Sequence, residues 1–511
     1  MRYIYMLDYI FSETQHFLET IPKTQRKKKG QFFTSKETAM FMASLFSLDN
    51  FSTTDITILD PGAGTGILSA AIIDRIYSDT HVNSVHLTCY ENDETVLPVL
   101  RNNLEYIKEN SPISFKYDII DKNYITTQAD SFEGNSSLFQ NQHDLNNLSK
   151  YDIVIGNPPY LKIARNDPAA LGMSSIVHGA PNMYFLFTAM SLFNLKDNGE
   201  MVYIIPRSWT SGEYFRSFRK YILEHSNITH IHLFVSRDKV FSQEKVLQET
   251  MIVKLKKEIT EPKSILITST NSNNDFKNIS QVNVPYNSVI TGKKSYVFLP
   301  TSEKEVQIIQ TINQYINTLP DEGLKMHTGI VVDYRQHQSL RATEEKHTVP
   351  LFYSQHIKQG RVNHLSSGKK YDWIIDSNPS LLQANQNYVF CKRFTAKEEH
   401  RRLQCGIYLS KDFPNYKLIA TQNKINFISR TDGKAMDEIL VYGIYALLNS
   451  TLFDMFYRIL NGSTQVNSSE INSIPVPPIK HIQRIGQLLL DTDDLSTFNC
   501  DKILREVSYN E

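Results

Sequence analysis

The run Ile56-Thr-Ile-Leu-Asp-Pro-Gly-Ala-Gly-Thr-Gly66 constrains this chain more than any other stretch. Its β-branched, apolar beginning reads as a strand, and Asp60-Pro61 with three spaced glycines reads as a tight turn. Ile67 to Tyr77 then reads as a helix. Gly62, Gly64 and Gly66 allow the backbone to turn sharply and approach a ligand closely. The pattern is D-P-x-x-G-x-G. It is not the G-x-G-x-x-G of dinucleotide enzymes, and it lacks a P-loop lysine. Asp60 at the strand end would repel a pyrophosphate and suits the ammonium of an amino-acid moiety. That chemistry favours S-adenosylmethionine over NAD or ATP.

The neighbouring segments fit the same ligand. Val85 to Glu91 reads as a second strand, and a carboxylate at its end, Glu91, accepts ribose hydroxyls in many nucleotide-binding α/β folds. A third strand, Ile113 to Ile120, leads into Asp121-Lys-Asn-Tyr124. One polar side chain here should meet the adenine amino group of the cofactor, and Asp118 and Asn123 both qualify. Upstream, Arg26-Lys-Lys-Lys29 precedes Gly30-Gln-Phe-Phe-Thr-Ser35. Thr34 or Ser35 caps the helix that follows, and a capped helix start also presents N–H groups to a carboxylate.

Tyr151-Asp-Ile-Val-Ile-Gly-Asn-Pro-Pro-Tyr160 is a buried strand ending in an unusual loop. Asn157 offers a carbonyl oxygen, and Pro158 offers a backbone carbonyl with φ fixed. Two adjacent acceptors suit an amino group held by both hydrogens. Tyr160 supplies a flat face for a planar ring.

Strands and helices alternate up to about Lys257, which argues a mostly parallel sheet with helices on both faces. Ile228–Val235 and Gln248–Leu255 read as its last two strands, with Lys239-Val-Phe241 between them. Glu258 to Asn287 is rich in Thr, Asn and Ser, which places a domain boundary there. The expected organisation is an N-terminal amphipathic helix (1–25), a catalytic domain (26–257), a second domain (258–480) and a helical tail (481–511). At 511 residues and 41% hydrophobic content the chain can bury more than one core. Lys+Arg and Asp+Glu are both 54, so any nucleic-acid surface needs local segregation of charge. Four scattered cysteines show no metal-ligand or disulfide spacing, and no apolar run approaches membrane-spanning length. Both fit a cytoplasmic chain with reduced thiols.

In its order of motifs, Gly30-Gln-Phe-Phe-Thr34, Asp60 to Gly66, then Asn157 to Tyr160, the chain resembles the gamma group of DNA adenine-N6 methyltransferases of restriction–modification systems. Met183-Tyr-Phe, Ile205-Pro-Arg-Ser-Trp209 and Val240-Phe241 add to the likeness. Thr328 to Arg335, Lys392 to Arg402 and Asn461 to Pro478 look most like the BsuBI and PstI type. The resemblance implies a mixed, mostly parallel seven-stranded methyltransferase sheet with a C-terminal α+β DNA-recognition domain. It implies S-adenosylmethionine held by Phe33, Thr34, Asp60, Pro61, Gly62, Gly64, Gly66, Glu91 and a third-strand residue, Asp118 or Asn123. The family's usual acidic residue before an aromatic stands here as Asn123-Tyr124.

Asn157 and Pro158 would grip the target N6 while Tyr160 and Phe241 sandwich a flipped adenine. Lys392, Arg393, Arg401 and Arg402 are candidate phosphate contacts, weighed against a solvated surface. The implied partners are double-stranded DNA and, functionally, a cognate restriction endonuclease. No membrane is implied, the enzyme is expected to be a monomer, and the target to be a short palindrome such as CTGCAG. RNA or protein-glutamine methylation is the alternative, because the same grip serves another amine or amide.

Overall fold

The computed structural model describes residues 6–22, 30, 32–51, 53–78, 81–133, 151–179, 181–234, 249–258, 260–273, 276–292, 294–396, 398–460 and 464–509. They form two compact units, Met1–Ile290 and Thr291–Glu511.

The first unit is an α/β layer structure. Its strands are β1 (Asp55–Pro61), β2 (Ser84–Tyr90), β3 (Ser114–Ile120), β4 (Tyr151–Gly156), β5 (Leu195–Pro206), β6 (Asn227–Phe234), β7 (Thr250–Lys256), β8 (Ser264–Thr270) and β9 (Ser280–Pro285). They lie in the order β3-β2-β1-β4-β5-β7-β6-β8-β9. β1 to β5 pair in parallel, and β7 runs antiparallel between β5 and β6. The mixed, mostly parallel sheet that the sequence predicts is therefore present, lengthened by two strands.

Side-chain alternation divides the helices between the two faces. Helices α1 (Met6–Thr20), α2 (Lys36–Ser44), α3 (Ile67–Tyr77) and α4 (Leu97–Asn110) share one core with Ile58, Ile153, Val202 and Ile204. Helix α5 (Met183–Asn194) covers the opposite face, where Ser191 Oγ meets the Tyr203 hydroxyl at 2.6 Å. α1 is bound into this unit, for the backbone N–H groups of Met6 and Leu7 donate to the Asp74 carboxylate at 3.1 and 2.9 Å. A carboxylate at a helix N-terminus satisfies orphan donors and complements the dipole.

The division between units falls at Ile290/Thr291 rather than after Lys257. Two threonines of the segment read as a domain boundary, Thr268 and Thr270, belong to β8, which pairs in parallel with β6. Thr268 Oγ1 lies 2.8 Å from His230 Nε2 and 2.9 Å from His232 Nδ1, so the polar residues are buried partners of two strand histidines.

The second unit is α+β. One sheet joins Leu324–Thr328, Ile425–Arg430, Tyr388–Lys392, Cys405–Tyr408, Arg361–Val362 and Ile357–Lys358 in that order, and a five-stranded sheet contains Thr348–Phe352 and Leu418–Thr421. The segment after His481, expected as a tail, supplies core. Helix Ile479–Thr492 crosses helix Glu438–Asn449 backbone to backbone, and a Cβ on Gly443 would stand 2.0 Å from the Ile482 carbonyl oxygen. Only glycine allows that approach. Among the described residues no single helix is long and apolar enough to cross a membrane, and the bent apolar pair Glu438–Asn449 and Thr451–Leu460 is packed into this core.

Candidate active site

The site begins where β1 ends. Gly62, Gly64 and Gly66 have φ of +76°, +57° and +87°, a region L side chains rarely adopt. The N–H groups of Gly62 and Ala63 both donate to the Tyr90 carbonyl, at 2.8 and 2.9 Å, which folds the turn onto the end of β2. Glu91 locks it there. Its Oε2 accepts from the Gly64 N–H at 3.0 Å and its Oε1 from the Asp93 N–H at 2.8 Å. Burial raises the Glu91 carboxyl above its ordinary range, opposed by those two N–H donors.

Asp60 stands behind the turn, 1% exposed. Its Oδ2 accepts from the Ser69 hydroxyl at 2.7 Å, while Oδ1 is buried with no hydrogen-bond partner among the described residues. Burial pushes this carboxyl up to about 7, with the Ser69 hydrogen bonds pulling the other way and nearby Glu91 adding to the rise. A buried acceptor with an unused lone pair is costly unless a donor or cation meets it.

The turn, the end of β2, the segment after β3 and the loop after β4 enclose a cavity of about 540 Å³. That is within the range of small-molecule sites, roughly 300–1,000 Å³. Of the expected residues, Phe33, Thr34, Gly62, Gly64, Glu91, Asn123 and Asn157 line it together. Pro61 closes β1 and Gly66 precedes α3, both off the lining, and Asp60, Pro158 and Tyr160 are off it as well. Asn123 uses its Oδ1 to accept the N–H groups of Ile125 and Thr126 at 3.0 and 3.1 Å, which turns its amide NH2 outward. Asp118 is excluded from the cavity. It lies within edge strand β3, 62% exposed, and meets His86 Nε2 at 2.6 Å. Strand position decides this, because the cavity opens beyond the strand ends and Asp118 is still inside the strand.

Asn157 is held by the segment before α2. Its Nδ2 donates to the Phe32 carbonyl at 2.8 Å and to Thr34 Oγ1 at 3.1 Å, so both amide hydrogens are engaged and Oδ1 faces away from them. Ser35, not Thr34, caps α2, accepting from the Thr38 N–H. The Tyr160 hydroxyl lies 2.9 Å from both Asn157 Oδ1 and the Ile204 carbonyl, and its single proton serves one at a time. Phe32 stacks on the Tyr160 ring at 5.4 Å, and Tyr184 meets it edge-on at 6.4 Å. Burial and Tyr184 raise the Tyr160 phenol well above its usual range, so it remains a neutral donor. Phe241 lies outside the described residues.

Some participants were not legible in the sequence. Met183 and Phe187 line the cavity from the start of α5, a helix that reads simply as core. Their i, i+4 spacing at the helix end that follows the Asn157 loop is the one signal available. Trp209 is fully buried and packs edge-on to Phe218, as its apolar setting suggests.

The basic segment of the second unit divides. Arg402 is 0% exposed, with Nε on Thr395 Oγ1 at 3.2 Å and its guanidinium over the Tyr457 ring. Arg401 Nη2 donates to the Leu448 and Ser450 carbonyls at 3.1 and 3.2 Å, the end of helix Glu438–Asn449. A guanidinium there satisfies orphan carbonyls and the helix dipole. Arg401 and Arg402 are thus structural cations, correcting their expected role as phosphate contacts. Lys392 is half-buried against Gln404, and Arg393 Nη1 donates to the Asn423 carbonyl at 3.0 Å.

Residues 70–241 match the Eco57I restriction-modification methylase family. The chain is 32% identical to the type II methyltransferase M.BsuBI of Bacillus subtilis over 500 residues, spanning 93% of this chain and 97% of that one. It is 31% identical to the type II methyltransferase M.PstI of Providencia stuartii, over 95% of this chain and 94% of the relative. Among solved structures, the type IIL restriction-modification enzyme MmeI, determined with DNA, shares the fold at a TM-score of 0.50 and 11% identity, covering 99% of this chain and 74% of that one. DrdV, also in complex with DNA, matches at 0.50 and 13%, covering 95% and 59%. With the likeness to M.BsuBI and M.PstI running almost end to end, this chain belongs to the type II restriction–modification methyltransferases.

Proposed function

We propose that this protein transfers a methyl group from S-adenosylmethionine to N6 of an adenine flipped out of duplex DNA, and so protects that DNA from a cognate restriction endonuclease. The observation that carries the reading is the orientation of Asn157. Both amide hydrogens are spent on Phe32 and Thr34, which turns Oδ1 away from them, toward the Tyr160 hydroxyl and with acceptor capacity left over, on a residue that lines the cavity. An exocyclic amine is a weak nucleophile because its lone pair is delocalised into the ring. Asn157 Oδ1 and the Pro158 carbonyl accept its two hydrogens best once the nitrogen becomes pyramidal, so they favour the transition state over the ground state. The Tyr160 ring stacks on one face of the base and Phe241 is assigned the other.

The residues lining the cavity, with Asp60 behind them, fit the cofactor. The unpartnered buried oxygen of Asp60 suits a cationic amino group, and Glu91 has lone pairs left for ribose hydroxyls. Asn123, whose Oδ1 is taken by two backbone N–H groups, has its NH2 as the available donor, which suits a ring nitrogen of the adenine moiety rather than the amino group expected from the sequence. Phe33 and Thr34 complete the lining beside Asn157. When bound, S-adenosylmethionine supplies an electrophilic methyl on sulfur.

Incubation with radiolabelled cofactor and duplex DNA, RNA or protein, followed by single-molecule sequencing of DNA from an expressing host, tests the reading. N6-methyladenine within one short motif, CTGCAG being the first candidate, is the expected product. Label entering only RNA or protein, or a methylated cytosine, overturns it.

A further inference from the structure

We infer that three loop segments of the second unit, Ile330–Arg335, Arg393–Phe394 and Asn423–Lys424, form the surface that reads duplex DNA; this rests on the function proposed above. They are separated by tens of residues in sequence, yet they lie side by side. The Val331 N–H donates to the Thr421 carbonyl at 3.1 Å and the Asn423 N–H to the Val331 carbonyl at 2.8 Å. On the other side of the same turn, the Arg393 N–H donates to the Lys424 carbonyl at 2.9 Å.

The side chains on these segments have the composition of a nucleic-acid face. Tyr334 is 77% exposed and Phe394 is 45% exposed. Each has its neighbouring arginine over it, Arg335 at 5.4 Å and Arg393 at 5.7 Å. Lys424 adds a third, exposed cation. Among the described residues none of the three cations is paired with a carboxylate. The acid nearest in sequence, Asp333, is half-buried, with its Oδ1 turned inside. In a chain whose charges sum to zero, three unpaired cations interleaved with exposed rings are a local concentration that solubility does not require. Cations hold phosphates without regard to sequence, and rings and apolar groups touch base edges and thymine methyls. Arg335 and Lys424 therefore position the duplex, and Tyr334 and Phe394 contribute to the choice of sequence.

Binding of the full-length protein to a duplex carrying its methylation motif, and to a scrambled duplex, separates the two roles when measured by anisotropy across a salt series. The pair Arg335→Gln with Lys424→Gln should weaken both duplexes and reduce the slope of log affinity against log salt by about 2. The pair Tyr334→Ala with Phe394→Ala should weaken the cognate duplex by roughly 10-fold or more and leave the scrambled one and the salt slope unchanged. Phe394→Leu serves as a milder variant, and an unchanged melting midpoint establishes that each protein is folded. Variants that bind both duplexes like a wild type that methylates DNA would overturn the inference. Equal loss on both duplexes from the aromatic pair would overturn the reading role. A wild type that neither binds nor methylates any duplex would instead overturn the function on which it rests.

Discussion

The Asn157 amide donates to the Thr34 hydroxyl across 3.1 Å, joining two residues 123 positions apart in the chain. One belongs to the segment ahead of α2 and the other to the loop after β4, so the wall of the cavity and the grip on the target share a hydrogen bond. Replacing Thr34 by Val removes the acceptor and leaves the Asn157 amide NH2 with the Phe32 carbonyl as its one remaining acceptor among the described residues. Single-turnover methyl transfer should slow by roughly 3- to 10-fold, the worth of one ordinary hydrogen bond, and Thr34→Ser should restore it. Equal rates for Val and Ser would show that the bond does not orient the amide.

Removing the amide altogether is a different perturbation. Asn157→Ala deletes the acceptor but none of the cavity's other walls. Methyl transfer should fall by at least about 100-fold while cofactor affinity, measured by calorimetry, changes little. Loss of cofactor affinity with retained turnover would reverse the assignment. Phe241→Ala should weaken the 2-aminopurine signal of the flipped base.

In the proposed site, Asp60 would tie cofactor binding to pH. Its carboxyl is raised from 3.8 to about 7 chiefly by burial. A raised carboxyl keeps its proton in the folded protein across that window while the unfolded chain has lost it, so this group's contribution to stability declines as pH rises from about 4 to about 7. A cationic amino group beside Oδ1 favours the charged form. Cofactor affinity should therefore increase from about pH 6 to about pH 8, with proton release on binding, and Asp60→Asn should flatten the profile and weaken binding. A wild-type profile that is flat would remove Asp60 from the site.

Arg402 should behave as core. Its guanidinium is fully buried, and its backbone N–H donates to Asp454 Oδ1 at 2.8 Å. Arg402→Ala should destabilise the protein by roughly 3 kcal/mol through the cavity and unpaired groups left behind. Its effect on DNA affinity, at a temperature where the variant is folded, should be small. A large DNA-binding defect with an unchanged melting midpoint would return Arg402 to the interface.

Local chemistry alone determined the strand-turn-helix around Asp60, the acid ending β2 and the acceptor loop at Asn157. Each depends on residues adjacent in the chain, whose backbone preferences and polar groups act at short range. The same locality made Asp118 and Asn123 indistinguishable, because strand end and strand interior differ only once the neighbouring strands are in register. It also made the Thr-, Asn- and Ser-rich segment after Lys257 read as a domain boundary, although Thr268 and Thr270 within it hydrogen-bond His230 and His232 on β6. Tertiary structure alone decided which arginines face inward, since Arg401 and Arg402 take partners some 47 to 55 positions away in Leu448, Ser450 and Tyr457. It likewise decided what orients Asn157, because Phe32 and Thr34 reach it only after the sheet brings the two loops to one end.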